Sequence, residues 1–530
     1  MAKPSLFLLF LLLAGACNLP LATQPAVGDS VSASPGILAP TLPPTYTPTA
    51  VPSPTATFQP TPAVEADLAA LEQAAMRPGF GGDVALFPNS TRYWIEVAVD
   101  LDSRAQQAEM SGLVRIQFTN PLDRPLPDMV LMLWPNDPQY QAEMSASLVV
   151  IGNQAIIPEV EAGGLAIRVP LPEPLQPGEV LDFTVPFHVR DIGVMKASDP
   201  RRFGFTHGVL LAPTFYPLVP RLVDGAWQVE EAPPGGDTTN SDVSFYHVQV
   251  TSPLGVALAA SGTEIDHSDN GDGTATTTFV TGPMRDFAMA LGPLQMEQRI
   301  VDGILIKAWV LPEHASDSPR ILAAAAAQVR TLTARVGPYP YAELDLVDAP
   351  DAFGGIEYPG LVFIGTVGTQ RLIEPTVHEV GHQWFYGLLG NDQLFDPWMD
   401  EAAATYTEVL YYESAVGPER ATTALSEYRQ LVVNYALDPS SPIGLSVGDY
   451  FSEGEYGLIV YIKGALFFDA LRREMGDAAF FDFFHSFFTA YRYGFVSPLD
   501  FQTTAEQSCS CDLAPLFNLW VYDGGPMPGP

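Results

Sequence analysis

The alternation of apolar and polar residues divides the chain into a strand-rich part and a helical part. Between residues 91 and 312, short segments show the two-residue period of half-buried strands, and Gly, Pro and Asp turns separate them. From Ser316 onward the apolar spacing becomes helical, interrupted by strand-like segments at 344–347 and 361–364. The pattern predicts a multidomain protein: an N-terminal β-rich domain of saddle or sandwich type, then a mainly α domain with a small sheet.

The helical spacing also predicts the main helices. A short one precedes the strands, and the others follow them. The predicted segments are 67–76, 321–336, 371–386, 400–412, 461–473 and 478–491.

The first residues resemble a signal for export. Lys3 supplies a positive charge, and the apolar run 6–16 is too short to span a bilayer as a helix. Small residues immediately before Cys17 resemble a bacterial lipoprotein processing site, at which the cysteine is lipidated and becomes the mature N-terminus. The alternative is ordinary cleavage near Ala16 with an incidental cysteine. Either way we expect an exported protein, on the bacterial cell surface or outside the cell, and the lipoprotein pattern favours a lipid anchor at Cys17.

A segment rich in Pro, Thr, Ser and Ala follows the signal. Such a composition cannot bury a core and favours extended, disordered chain, so it predicts a stalk. The predicted boundaries are 1–17 for the signal, 18–66 for the stalk, 67–312 for the β-rich domain and 313–530 for the mainly α domain.

The composition limits the number of domains and excludes some classes of binding partner. With 530 residues, of which 47% are hydrophobic, the chain can form two or three packed domains. Lys and Arg number 25 against 61 Asp and Glu, so the net charge is −36 and the surface repels nucleic acid and anionic membrane. Three cysteines make neither a disulfide framework nor a cysteine zinc site. The sequence leaves open whether Cys509 and Cys511 pair, because so short a ring strains disulfide geometry.

The strongest chemical signal is His378-Glu379-Val380-Gly381-His382. Two histidines four positions apart on a helix share one face and can bind one metal ion. Glu401 can supply a third ligand, which leaves the open position that distinguishes a catalytic zinc site from a closed structural one. Glu379 lies where a general base for zinc-activated water is needed. One zinc ion per chain is therefore expected.

A further acid follows on the helix that Glu401 begins. Glu408 lies seven residues after Glu401 and shares its helix face. It can accept a hydrogen bond from a liganding histidine, and the alternative is a solvated helix charge.

Several ordered motifs resemble the gluzincin zinc aminopeptidases typified by aminopeptidase N, a family that also includes leukotriene hydrolase. Residues 378–385 resemble its zinc helix with the trailing Gln-Trp-Phe, and Trp398-Met399-Asp400-Glu401 resembles its Trp-Leu-x-Glu. Residues 354–359 resemble the exopeptidase motif Gly-x-Met-Glu-Asn, and residues 461–465 resemble the segment with the catalytic tyrosine. The resemblance runs from about residue 91 to the C-terminus.

The resemblance implies a thermolysin-like catalytic domain and assigns further roles. Tyr461 would donate a hydrogen bond to the oxyanion, and Glu357, in the loop with Gly354 and Gly355, would bind the free α-ammonium of a peptide. The expected activity is therefore an aminopeptidase acting on peptides with a free N-terminus. The sequence does not indicate an oligomeric state.

Two departures from the family pattern keep alternatives open. Ile356 replaces Met and Tyr358 replaces Asn in the exopeptidase motif, which motivates a zinc endopeptidase or another small-substrate hydrolase with relaxed recognition of the N-terminus. The chain also ends before the large helical domain of bigger members, so we expect a short form with a more open cleft. A non-catalytic surface binding module that contains zinc is a third interpretation, against which Glu379 argues.

Overall fold

The computed structural model describes residues 65–140, 142–196, 201–229, 231, 233, 239–350 and 354–528. The predicted signal, Cys17 and nearly all of the predicted stalk lie outside these residues. Across the described ranges, every helix is too short or too polar to cross a membrane.

The first part of the described chain is rich in strands. Helix α1 (Glu65–Ala74) precedes them. The strands are β1 (Arg92–Asp102), β2 (Gln107–Thr119), β3 (Leu126–Met132), β4 (Glu143–Ser145), β5 (Val149–Ile151), β6 (Gln154–Ile156), β7 (Glu159–Glu161), β8 (Ala166–Leu175), β9 (Val180–Arg190), β10 (Gly204–Thr206), β11 (Val209–Pro213), β12 (Leu222–Val223), β13 (Ala226–Trp227), β14 (Phe245–Pro253), β15 (Ala257–Ala260), β16 (Thr263–Asp269), β17 (Thr274–Val280) and β18 (Ala288–Gly292).

A large, mostly antiparallel sheet dominates this part. Its nine strands include the series β16-β17-β14-β1-β2-β9-β5-β6, with β4 paired to β9, and β1 runs parallel to β14. Along β1, Tyr93, Ile95 and Val97 are buried while Glu96 and Asp100 are exposed, so one face covers the core. Smaller sheets β3-β8-β7, β10-β11-β18-β15 and β12-β13 complete the part. The predicted β-rich N-terminal domain is confirmed.

Helices surround a small sheet in the second part. The strands are β19 (Gln295–Val301), β20 (Ile304–Val310), β21 (Glu343–Asp348), β22 (Gly355–Ile356) and β23 (Leu361–Ile364), in the order β19-β20-β21-β23-β22. The helices are α2 (Ser318–Arg335), α3 (Ile373–His382), α4 (Glu401–Tyr411), α5 (Pro418–Tyr435), α6 (Glu453–Tyr456), α7 (Gly464–Met475), α8 (Asp477–Tyr491), α9 (Pro498–Cys509) and α10 (Ala514–Phe517). The predicted mainly α domain with a small sheet is therefore also confirmed.

The small sheet begins earlier in the chain than the predicted boundary between residues 312 and 313. Strand β20 runs parallel to β21, with Leu305 opposite Glu343 and Trp309 opposite Val347. Strands β19 and β20 therefore share the sheet of the helical part.

Two predicted helices begin or end elsewhere. The one predicted over 371–386 ends at His382, because the chain turns at Tyr386, whose φ is 103°. The buried guanidinium of Arg285 holds that turn by donating to the Tyr386 carbonyl at 2.7 Å. The one predicted over 461–473 begins at Gly464, because residues Gly457–Lys463 form a π-helix.

The two cysteines at the end of α9 are joined. Cys509 and Cys511 form a disulfide across a left-handed Ser510 with a φ of 53°. The question that the sequence left open is answered in favour of pairing.

Helix α3 lies in the core of the second part, packed between the small sheet and α4. Gly381 allows this packing, because a Cβ at that position would collide with the Thr407 hydroxyl on α4. The neighbouring Trp384, just after α3, and Trp398, just before α4, are fully buried. The close packing places the histidines of α3 against the first turn of α4.

Candidate metal centre and active site

Three predicted metal ligands converge at the contact between α3 and α4. The Nε2 atoms of His378 and His382 are 3.1 Å apart. The Oε2 atom of Glu401, the first residue of α4, lies 3.4 Å from the first of these nitrogens and 3.2 Å from the second. All three side chains are buried, so the ligand atoms form a closed triangle shielded from bulk water.

The size of this triangle fits zinc. Tetrahedral zinc binds nitrogen and oxygen at about 2.0–2.1 Å, so two of its ligands lie about 3.3 Å apart. Three protein ligands leave a fourth position for water or substrate. A second group of potential ligands, Glu357, Glu379 and His382, shares a histidine with the first. The group His378, His382 and Glu401 fits zinc better, because the Nε2 atoms of both histidines lie within it.

Hydrogen bonds to the other ring nitrogens orient both histidines. His378 Nδ1 donates to Glu408 Oε1 at 3.0 Å, and His382 Nδ1 donates to the Phe385 carbonyl at 3.1 Å. A carbonyl oxygen only accepts, so the His382 proton is on Nδ1 and the Nε2 lone pair is left for a metal. The other oxygen of Glu408 accepts from the Tyr428 hydroxyl at 2.9 Å. Glu408 is thus mostly buried and bonded to a predicted metal ligand, as the prediction of a supporting residue requires.

The charges of the site favour a cation between the histidines. Burial lowers the pKa of His378, but the carboxylates of Glu401 and Glu408 outweigh burial and raise that pKa to about 10. Burial likewise raises the pKa of Glu401, and the two histidines outweigh it and hold the pKa well below its usual range. The same attraction would favour a metal ion, which the histidines would bind through Nε2 in place of a proton.

Glu379 lies on α3 beside the triangle and is buried. The backbone of Gly355 in β22 packs directly against its carboxylate, so a Cβ at Gly355 would collide with Oε1. The sequence predicts Gly354 and Gly355 as substrate-binding residues. The structure shows that Gly355 makes room for Glu379, while the Gly354 carbonyl accepts from the Gly365 amide at 3.0 Å.

Glu357 is brought to the same centre from the loop after β22. Its carboxylate lies in a group with Glu379 and His382 whose ligand atoms are all within 4.8 Å of one another. Burial raises the pKa of Glu357 to about 7, with His382 opposing the rise and the carboxylates of Glu401 and Glu379 adding to it. An ammonium group placed here would favour the ionised carboxylate.

Two glutamines hold Glu357 and its loop, and spacing alone did not assign them a role. Gln393 Nε2 donates to Glu357 Oε1 at 3.2 Å. The Gln383 amide accepts from the Gly360 backbone at 2.8 Å and donates to the Tyr358 carbonyl at 3.2 Å. Gln383 could have been noticed in the sequence, because it directly follows the zinc motif. Gln393 follows no motif, so the sequence gives no signal for it.

Tyr461 reaches the centre from the π-helix between α6 and α7. Its hydroxyl donates to Glu401 Oε1 at 2.5 Å, and its ring stacks on His378 with the centroids 5.9 Å apart. A hydroxyl in this position can bind an oxyanion that forms beside the metal. The predicted ligands, base, amine anchor and tyrosine thus surround one point, and the arrangement can perform metal-assisted hydrolysis of a peptide bond.

Parts of the chain are similar to known peptidases. Residues 334–520 match the model of the peptidase family M1 domain. Human aminopeptidase B is 26% identical over 170 residues, which are 30% of this chain and 26% of that protein. Aminopeptidase N of Streptomyces lividans is 26% identical over 203 residues, 35% of this chain and 24% of that protein. The chain spans about a quarter of the length of these curated relatives.

A solved structure shares the architecture. The M1 zinc metallopeptidase from Deinococcus radiodurans superposes with a TM-score of 0.64 and 22% identity, over 83% of this chain and 94% of that one. A variant of that protein has been solved with a Tyr-Ser-Ala substrate bound. The likeness establishes the fold, and the matched family implies a single zinc ion, which fits His378, His382 and Glu401.

Proposed function

We propose that the chain is an aminopeptidase that removes N-terminal residues from peptides. Its motifs, the match of residues 334–520 to the peptidase family M1 domain and its fold support a place among the aminopeptidase N-type gluzincin zinc metallopeptidases. The observation that carries the proposal is the carboxylate of Glu357, which lies in one group with Glu379 and His382. A carboxylate at that distance can hold the α-ammonium of a peptide while the first peptide bond lies at the metal triangle. Binding of a peptide substrate by the structural relative from Deinococcus radiodurans supports the same substrate class.

The mechanism follows from the position of each side chain. A zinc ion held by His378, His382 and Glu401 supplies a Lewis acid for the scissile carbonyl and makes water more acidic. Glu379 accepts a proton from the attacking water and delivers it to the leaving amine. The Tyr461 hydroxyl donates to the oxyanion as it develops.

We expect Glu357→Gln to separate amine recognition from catalysis. Glutamine keeps the shape of the side chain but loses the charge that pairs with the ammonium, and a hydrogen bond to a charged group contributes about 1.5–3 kcal/mol. The value of kcat/KM for a free-amine dipeptide should therefore fall about 10- to 150-fold. The measurement compares the zinc-loaded variant with the natural protein on one peptide in free and N-acetylated form, with and without a chelator.

The acetylated peptide is the internal control for that experiment. The natural protein should cleave it poorly, and chelation should stop cleavage of both forms until zinc is restored. Equal cleavage of the two forms would favour the endopeptidase or relaxed hydrolase that the changes at Ile356 and Tyr358 suggest. A zinc-loaded protein that cleaves neither would leave the surface binding module as the remaining interpretation.

We also propose that the protein is exported and anchored to the membrane surface by a lipid on Cys17, with residues 18–66 as the stalk. The support is the apolar run that ends in small residues before this cysteine. Cys17→Ser should move the protein from the membrane fraction to the soluble fraction, as measured by immunoblot of fractionated cells. A natural protein that is already soluble, with its N-terminus at another residue, would refute the lipid anchor.

A further inference from the structure

One face of the helix that leads to Tyr461 is only partly covered. Helix α6 runs directly into the π-helix that contains Tyr461. Most of this continuous helix is buried, but Glu453 and Gly457 are half-buried. The Gly457 amide donates to the Glu453 carbonyl one turn earlier, and Tyr461 follows Gly457 by about one more turn. Glu453, Gly457 and Tyr461 therefore lie along the same face.

This face borders the metal triangle at its Tyr461 end. The Tyr461 hydroxyl donates to Glu401 Oε1 at 2.5 Å. Gly457 has no side chain, so on this helix face nothing stands between Glu453 and Tyr461. Eight residues of α-helix span about 12 Å, which limits the distance between these two positions along the helix axis. A long side chain on the residue whose carbonyl lies at the triangle can therefore reach Glu453.

The carboxylate of Glu453 has an oxygen without a partner. Its Oε2 atom is buried, and no hydrogen bond reaches it from the described part of the chain. Burial raises the pKa of Glu453, and no described basic group offsets the rise. Glu455 shows the contrast, because its two carboxylate oxygens accept from the amides of Leu437 and Asp438. A buried oxygen of this kind favours a ligand that brings a donor.

The surroundings of Glu453 favour a cationic donor. Phe451, two residues earlier, is 85% exposed, and the face of an aromatic ring attracts an ammonium or a guanidinium. The rings of Tyr450, Tyr456 and Tyr461 form a chain of contacts from this segment to the active site. The net charge of −36 attracts cationic peptides to the whole protein. A carboxylate and an aromatic ring near an acidic site match the side chain of Lys or Arg.

We propose that Glu453 binds the side-chain cation of an N-terminal Arg or Lys, so that the enzyme prefers basic first residues. The inference rests on the proposed aminopeptidase function, in which Glu357 holds the α-ammonium of the same residue. The guanidinium or ammonium then supplies N–H donors to the Glu453 carboxylate. A site built to hydrogen-bond a substrate group rejects analogues that lack the group, so neutral side chains of similar shape are cleaved more slowly.

The test uses the zinc-loaded full chain and aminoacyl p-nitroanilides of Arg, citrulline, Lys, norleucine and Glu. Citrulline and norleucine have nearly the shapes of Arg and Lys without the charge. We expect kcat/KM to be about tenfold higher for Arg than for citrulline, and for Lys than for norleucine. Glu453→Gln should lower the values for Arg and Lys about tenfold and change those for the neutral substrates far less. Glu453→Lys should reverse the preference in favour of Glu.

Glu419→Gln is the matched control, because it makes the same change in the first turn of α5, where Glu419 is exposed. It should leave the whole profile unchanged. Glutamine keeps the shape of the Glu453 side chain, so the rate of Glu453→Gln on norleucine shows that the variant is folded. If Glu453→Lys melts early, Glu453→Gln decides alone.

Two dipeptides locate the cation that Glu453 binds. Glu453→Gln should slow the cleavage of Arg-Ala and spare that of Ala-Arg. The opposite result would assign Glu453 to the second residue of the peptide and overturn the inference.

The remaining outcomes separate this inference from the function on which it rests. A preference for Arg over citrulline that survives Glu453→Gln overturns the assignment, because the preference then comes from the overall negative charge. Equal cleavage of Arg and citrulline by the natural protein also overturns it and leaves the aminopeptidase intact. Failure on every substrate contradicts the aminopeptidase itself.

Discussion

Glu379→Gln is expected to lower kcat/KM for a free-amine peptide by about 10²- to 10⁴-fold while the protein retains its zinc. Glutamine has nearly the shape of glutamate, so the close contact with Gly355 is preserved. It cannot accept a proton from water, and proton transfer by a positioned side chain contributes about that factor to a rate. The three predicted ligands His378, His382 and Glu401 are unchanged. Steady-state kinetics should therefore show the fall in kcat/KM, while the zinc content stays that of the natural protein.

Glu374→Gln is the control for this variant, because it makes the same change in the first turn of the same helix. Glu374 is only partly buried and accepts from the Tyr412 hydroxyl at 3.1 Å, away from the triangle. Its activity should equal that of the natural protein. A Glu379→Gln protein that binds zinc and keeps full activity would refute the role as base. Loss of zinc from it would instead assign Glu379 to the metal.

The architecture could be predicted from the sequence, because the apolar residues of each part follow one dominant period. Buried and exposed residues alternate along β1, and the two histidines of α3 share a face at a spacing of four. The sheet to which a strand belongs is not encoded in that period. Every residue of strand β20 is buried or half-buried. Only its parallel pairing with β21, across α2, assigns it to the helical part.

The two histidines and Glu379 of the metal site were predictable for the same local reason, and the surroundings of Glu357 were not. His378, Glu379 and His382 lie within one helix turn or so, where geometry follows from sequence. Arg202 and Gln393 lie in segments without a motif, and only tertiary packing brings them to Glu357. The β-rich part thus contributes Arg202 to the lining of a small cavity beside Glu357.

Tyr461→Phe should lower kcat by about 10²- to 10³-fold at saturating zinc, the usual cost of removing one oxyanion donor. The ring that stacks on His378 is kept, and only the hydroxyl is lost.

The same hydroxyl donates to Glu401 Oε1 at 2.5 Å, so it can also act by orienting a metal ligand. The two roles differ in what they predict. A group that only positions Glu401 would weaken zinc binding by about 10- to 100-fold, and activity would return when zinc is raised to saturation. An oxyanion donor leaves the loss in kcat at any zinc concentration, because no other change restores the missing hydrogen bond in the transition state. Measuring activity and zinc occupancy together over a zinc titration of Tyr461→Phe therefore distinguishes the two roles. Tyr339→Phe is the control, because it also removes a buried tyrosine hydroxyl, one that donates to the Glu343 carbonyl. Full recovery at saturating zinc would restrict Tyr461 to the support of Glu401.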